Sequence, residues 1–200
     1  MQLIVATRNA HKTREIQRIL GPAFIVSDLS EHPEIPDIHE TGKSFGENAI
    51  LKAVGASRHL PGLIVADDSG LEADALGGAP GIFSARYAGE NATDKQNIDK
   101  LLVELIWVGA EETKRSARFR CVVALARQGE LLETFEGIVE GTIVERACGS
   151  QGFGYDPIFV PRGFEETFAE LPPEVKNTIS HRAKAIRRLT AKLTALKMRD

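Results

Sequence analysis

Residues 3–26 read LIVATRNAHKTREIQRILGPAFIV, and this opening decides the fold class. Leu3–Ala6 is an apolar run, closed by Thr7-Arg8-Asn9. Beyond it Ile16, Ile19 and Leu20 share one face at helical spacing, while Lys12, Arg14 and Arg18 fall elsewhere. Gly21-Pro22 stops the helix, since a glycine just past the last turn followed by proline cannot continue it. Phe24–Val26 is a second short strand. Strand, helix, strand in that order predicts a parallel pair joined by a right-handed crossover.

Working outward, residues 28–43 form a loop punctuated by Pro33, Pro36 and Gly42. Six acids (Asp28, Glu31, Glu34, Asp37, Glu40, Glu47) stand between 28 and 48 against one base, Lys43. Ser44 with Glu47 spells a capping box, so a helix runs to about His59 with Ala49, Ile50, Ala53, Val54 and Ser57 on one side. Leu63–Ala66 is a short buried strand that ends at Asp67-Asp68-Ser69-Gly70; if the extended form persists the two aspartates face opposite ways, whereas a turn at Ser69-Gly70 brings both to one cation. Glycines 77, 78, 81 and 89 around Pro80 predict a long loop. Thr93 with Gln96 opens a further helix to about Trp107. Ala117–Ala126, Leu131–Val139 and Thr142–Cys148 predict an antiparallel meander. Phe153-Gly154-Tyr155-Asp156-Pro157 is a turn before a strand at Ile158–Val160. Ser180 caps a last helix with Ile186, Leu189, Leu193 and Leu196 on one face. An early βαβ unit and a later meander predict mixed α/β or α+β over residues 1–200, a large twisted sheet flanked by helices, in one domain or two small lobes sharing a core.

Composition excludes several classes. A 200-residue chain with 42% AVILMFWYC can bury a core without disulfide or metal staples. The longest apolar run, Cys121–Ala126, is far short of the ~18 residues of a membrane span. The start MQLIVATRNAHK lacks the basic region and long apolar core of a secretory signal. Cys121 and Cys148 have no CxxC spacing and read as reduced packing residues of a cytoplasmic protein. A net charge of -3 argues against a general nucleic-acid binder.

Four constellations carry chemistry. Thr7-x-Asn9-x-x-Lys12 sits where a strand passes into a helix, and helix N-termini receive anions such as triphosphates. The same string also reads as an Asn cap followed by a solvated lysine. It is not a Walker A loop, having no GxxxxGK[ST]. Asp67-Asp68-Ser69 follows a buried strand, where carboxylates suit Mg²⁺ and one can take a proton from water. Its bland reading is a turn that closes the strand. Glu40 precedes a helix that carries Lys52, and could complete a metal site with Asp67 or be plain surface charge. Finally, Phe153-Gly154-Tyr155-Asp156, Lys176 and Ser180-His181-Arg182 offer a stacking surface with polar readers, or core aromatics in a turn. The last helix bears Arg182, Lys184, Arg187, Arg188, Lys192, Lys197 and Arg199 against Asp200, read as a solvated face.

Taken together, TRNAHKTRE (7–15), ETGKSFGENAILKA (40–53), ADDSGLEADALGGAPGIFSARYAG (66–89), GFGYDPIF (152–159) and ISHRAKA (179–185) resemble the inosine/xanthosine triphosphate pyrophosphatases. The resemblance implies an elongated α/β fold with two lobes around a nucleotide cleft, usually as a homodimer. It implies Mg²⁺-dependent hydrolysis of ITP, dITP or XTP to the monophosphate and pyrophosphate. Carried over, Thr7, Arg8, Asn9, Ala10, His11 and Lys12 hold phosphates, with Lys52 and Ser69. Glu40 and a carboxylate of the Asp67–Asp68 pair bind Mg²⁺, and Asp68 is the proton acceptor. Phe153, Gly154, Tyr155, Asp156, Lys176, His181 and Arg182 form the nucleobase and ribose side, with Arg182 a candidate donor to the 6-keto oxygen. Arg8 departs from the small residue common in that family, and the stretch from Trp107 to Thr113 matches nothing specific. A phosphomonoesterase with an aspartyl nucleophile wants DxD rather than adjacent acids. A nucleotide- or RNA-binding module without catalysis leaves Glu40 and the aspartate pair without a task.

Overall fold

The computed structural model describes residues 1–111 and 114–197. Thr113, Arg199 and Asp200, and the side chains of Leu196 and Lys197, lie outside the description. The opening folds as its spacing predicts. β1 (Gln2–Val5), α1 (Ala10–Leu20) and β2 (Ile25–Asp28) form a strand–helix–strand unit with β1 and β2 parallel. α2 (Phe45–Ser57) follows a long loop and starts at Ser44, whose side chain accepts from the Glu47 N–H. Glu47 reaches back one residue further than a capping box requires, to the Lys43 N–H at 2.6 Å. α3 (Asp94–Trp107) has the complete Thr93–Gln96 box.

β3 (Ile64–Ala73) is more than twice the expected strand. The strand does not end at Asp67-Asp68-Ser69-Gly70: all four residues lie within it, so the extended alternative holds and no turn forms at Ser69-Gly70. β3 pairs in parallel with β1, Ile4 opposite Ile64 and Val5 opposite Val65. Neighbours on both faces bury it, and that burial overrides the local turn preference of Ser-Gly.

β4 (Ser116–Arg127) and β5 (Glu130–Ile143) are joined by Gln128 and Gly129, with φ of 54° and 81°. Positive φ at both positions makes the two-residue hairpin turn that matches strand twist. β5 runs through the expected strand Leu131–Val139 and on to Ile143, because Glu140-Gly141-Thr142 is not a turn; of the expected strand Thr142–Cys148 only Thr142 and Ile143 are strand, and 144–148 are irregular. Gly141 answers to a neighbour instead. A Cβ there would strike the Val160 carbonyl and come within 2.6 Å of the Phe159 ring. Those residues belong to β6 (Phe159–Pro161), which is antiparallel to β5. The sheet order is β2-β1-β3-β4-β5-β6, a mixed six-stranded α/β sheet with flanking helices. α4 (Pro173–Ile179), not expected from the sequence, ends at Ser180, and α5 (His181–Lys197) begins directly after it.

The chain divides into two compact units. Met1–Asp68, Cys121–Gly137 and the stretch from His181 form one; Ser69–Arg120 and Ile138–Ser180 form the other. The first packs Leu3, Val5, Ile16, Val65, Leu125, Ile186, Leu189 and Leu193 into one core. The second packs Leu71, Leu101, Leu105, Phe119, Tyr155, Phe159 and Phe168 into another. Its Phe119 and Phe159 rings meet edge-on at 4.8 Å, and Phe159 lies 5.3 Å from Phe168.

Candidate active site

In the first unit, alternation along β3 sends Asp67 and Asp68 to different partners. Asp67 meets α1 and α5: Lys12 Nζ stands 3.2 Å from its Oδ2, and Arg182 donates to the same oxygen from Nη2 at 2.9 Å and Nε at 3.2 Å. Arg182 Nη1 also donates to Glu15. Arg182 is 1% exposed, so this is a buried ion cluster. Burial alone would push the Asp67 carboxyl up, but Lys12, Arg182 and Lys52 outweigh it and hold the group far below the usual carboxylate range. The same carboxylates raise the Arg182 pKa against the opposite pull of its burial.

Asp68 faces α2. Asn48 Nδ2 donates to its Oδ2 at 3.1 Å and Lys52 Nζ to its Oδ1 at 3.3 Å. Lys52 also donates to Glu40 Oε1 at 2.6 Å, so one ammonium joins the loop carboxylate to the strand carboxylate. Burial and the nearby Glu40 raise the Asp68 pKa, and Lys52, Lys12 and the Asn48 bond only partly offset them. Burial works against the Lys52 charge, yet Asp68, Asp67 and Glu40 raise its pKa overall.

At the start of α1, Asn9 is an N-cap: its Oδ1 accepts from His11 N at 2.9 Å and Lys12 N at 3.3 Å. Thr7 Oγ1 accepts from Asn9 N at 3.1 Å. The Asn-cap reading is therefore what this structure shows, but Lys12 is turned onto Asp67 rather than solvated. Ala10 is the first residue of α1, and the His11 ring lies beside Arg14. Arg8 turns away toward the acidic loop, donating to Leu29 O at 2.5 Å and Ile35 O at 2.7 Å and pairing with Asp37 at 3.4 Å.

In the second unit, Asp156 is 2% exposed and accepts from Phe153 N at 2.9 Å and Lys176 Nζ at 2.5 Å. Lys176 Nζ stands 5.1 Å from the Phe153 ring centre, a cation–π contact. Tyr155 belongs to the core, its hydroxyl donating to Ser84 O at 3.0 Å. Gly154 N–H is held by Asp94 Oδ2 at 2.7 Å. Ser69 is half-buried on β3, and His181 is buried at the first residue of α5. Arg182 sits in the first turn of α5, where a cation opposes the helix dipole; Asp67 and Glu15 supply the compensating anions.

The first unit thus gathers Lys12, Glu40, Lys52, Asp67, Asp68 and Arg182, and the second gathers Phe153, Asp156 and Lys176. Sequence reasoning placed Asn48 beside Lys52 but gave it no role, and did not single out Glu15 or Asp94 for these clusters. Asn48 carried a usable signal, four residues before Lys52 on the same helical face. Glu15 and Asp94 act across the fold and carried none. Among the described residues no group of three or more His, Cys, Asp or Glu side chains is arranged to hold a metal.

A parallel βαβ opening, lysines beside paired carboxylates and an aromatic turn braced by Lys176 define an α/β protein with a buried cluster of charge. The Ham1 family profile matches residues 3–192, and the chain belongs to the Ham1 family. It is 47% identical over 195 residues to the dITP/XTP pyrophosphatase of Bacillus subtilis strain 168, covering 97% of this chain and 98% of that one. It is 49% identical over 196 residues to the dITP/XTP pyrophosphatase of Shouchella clausii, covering 98% and 94%. Among solved structures, the Ham1 protein of Staphylococcus aureus matches at 42% identity and TM-score 0.84 over 98% of this chain and 99% of that one. A HAM1 protein from Coxiella burnetii matches at 42% identity and TM-score 0.86 over 98% and 99%.

Proposed function

We propose that this protein hydrolyses non-canonical purine nucleoside triphosphates (ITP, dITP and XTP) to the monophosphate and pyrophosphate. The carrying observation is the Glu40–Lys52–Asp68 chain, closed by Asn48, in a protein nearly half identical along its length to dITP/XTP pyrophosphatases. A divalent cation fits Glu40 and Asp68. Both are hard oxygen donors, and both already share one cation, the Lys52 ammonium. Mg²⁺ held there would supply charge neutralisation at the phosphates.

The chain's own groups do the rest. Asp68 accepts the proton of the attacking water, its carboxylate held in place by Asn48 and Lys52. Lys52, Lys12 and Ser69, with Thr7, Arg8, Asn9, Ala10 and His11 around the α1 N-terminus, take phosphate oxygens. Phe153, Gly154, Tyr155, Asp156, Lys176 and His181 serve the base and ribose. Arg182 donates to a 6-keto oxygen by exchanging a bond now made to Glu15 or Asp67. Adenine, with an amino group at that position, would leave the donor unpaired, a penalty that reaches factors of about 10⁴. Of the two aspartates, Asp68 is assigned to metal and proton. Asp67 is committed to Lys12 and Arg182. The reading also carries a homodimer and a cytoplasmic location, for which sedimentation equilibrium and cell fractionation are the tests. Among the described residues no helix is long and apolar enough to cross a membrane.

The test is product analysis by phosphorus NMR with Mg²⁺ and, separately, ITP, XTP, dITP, ATP and GTP. Monophosphate plus pyrophosphate is expected, with ITP, dITP and XTP far ahead of GTP and of ATP, which lacks the 6-keto oxygen. Diphosphate plus orthophosphate overturns the mechanism, and no turnover overturns the activity.

A further inference from the structure

Asn48 is the side chain that the assigned chemistry leaves without a role. It lies on α2 one turn before Lys52 and is 0% exposed. A buried amide is tolerated only when both its ends are paired. Here both are: Oδ1 accepts the Gly42 N–H at 2.9 Å and Nδ2 donates to Asp68 Oδ2 at 3.1 Å. One partner is a donor and the other a carboxylate acceptor, so the amide has a single way round.

Gly42 is held hard against this residue. A Cβ at position 42 would lie 2.6 Å from Glu47 Cβ and 2.7 Å from Asn48 Oδ1. Gly42 stands two residues after Glu40, and Glu40 is bound through Lys52 to the other oxygen of Asp68. The bonds close a ring: Glu40, Lys52, Asp68, Asn48, Gly42 and back along the chain to Glu40. Lys52 supplies charge to that ring. Asn48 supplies direction, because it fixes the plane of the Asp68 carboxylate and ties the Glu40 loop to the same point.

We infer that Asn48 is a positioning residue, setting the orientation of Asp68 relative to Glu40 for proton transfer from water. The inference rests on the proposed pyrophosphatase reading and adds to it a residue that acts through Asp68. A misplacement of about 1 Å at a reacting group costs about 10²-fold in rate. Orientation of the base acts on the chemical step, so kcat takes the loss while substrate binding is spared.

The test compares wild type, Asn48→Leu and Gly42→Ala. Leucine keeps the volume and removes both hydrogen bonds. Alanine at 42 breaks the same link from the loop side and leaves Asn48 in place. The readouts are kcat and KM for ITP with Mg²⁺, the Kd for ITP in EDTA by calorimetry, and circular dichroism as the check on folding. The expected result is a fall in kcat of about 100-fold in Asn48→Leu and a smaller fall in the same direction in Gly42→Ala. KM, and Kd in EDTA, stay within threefold of wild type in both. A folded Asn48→Leu with kcat within threefold of wild type overturns the inference. So does a loss shared between KM and Kd, which marks a packing role. If Asn48→Leu does not fold, Gly42→Ala decides alone by the same criteria. Wild type that releases no pyrophosphate from ITP, XTP or dITP overturns the activity itself, a result visible before any variant is made.

Discussion

Replacing Arg182 with methionine tests the buried ion cluster of the first unit. Methionine keeps most of the side-chain length and removes the charge and every donor. Arg182 now satisfies Asp67 through two nitrogens and Glu15 through the third. After the change Asp67, whose side chain is 0% exposed, retains Lys12 at 3.2 Å as its ion-pair partner. Breaking a buried pair by removing one partner costs about 3–5 kcal/mol, because the carboxylates left behind stay buried with less compensation. For a chain of this size the unfolding entropy is about 0.4 kcal/mol per kelvin, so Tm should fall by about 10 °C. The assay is calorimetry at pH 7 on wild type, Arg182→Met, Asp67→Asn and the double variant. The double variant should be more stable than the sum of the single changes predicts, with a coupling of about 1–3 kcal/mol. A Tm within about 2 °C of wild type in Arg182→Met would refute the reasoning. Strict additivity would refute the pairing itself.

Further expectations follow from individual contacts. Arg8→Ala removes the forked grip on the Leu29 and Ile35 carbonyls, so amide exchange should speed up over residues 29–37 while α1 stays protected; unchanged exchange there argues against a strap. Cys121 is buried and its thiol is pushed up to about 12 by that burial first and by Asp67 next, so a thiol reagent at pH 8 should find one cysteine in the native protein and two in denaturant. The Asp28 pKa is lowered: burial opposes this, but bonds from Ser30 and Thr13 prevail. Its contribution is therefore present above the unfolded value of 3.8 and lost as pH falls through the folded value, and Asp28→Asn should flatten the acid side of a stability curve measured by urea unfolding. Gly141→Ala drives a methyl group into β6 and should cost about 1–3 kcal/mol, read as a lower urea midpoint with an unchanged slope.

Local signals carried much of the architecture. Gly21-Pro22, Ser44 with Glu47 and Thr93 with Gln96 marked helix ends because caps are made by neighbours in sequence. Distant contacts were illegible by the same logic. Ser69-Gly70 has the letters of a turn, and only strands on either side make it extended. Gly141 looked like a break until β6 came against it, and α4 had no periodic apolar face to announce it. In the site, Lys52 and Asp68 were visible as residue types in informative places. Their ion pair was not, since Asp68 lies sixteen positions beyond Lys52 and only folding brings them to 3.3 Å. Glu15 was hidden more deeply, 167 positions from the arginine it binds.

Asp67 and Asp68 are one amino acid written twice, yet one is locked in an ion cluster and the other stands beside an amide and an ammonium. Only odd or even position along β3 tells them apart. That parity is set by pairing with β1, through Ile4 with Ile64 and Val5 with Val65. A slip of one residue in one direction would present Ala66 to Arg182; in the other it would present Ser69 to Lys52. Either way one cluster loses its carboxylate although no side chain has been altered. Substitution scanning is blind to this dependence. A single residue inserted between Val65 and Ala66 would expose it, by carrying Asp67 to the place of Asp68 and leaving Ala66 opposite Arg182.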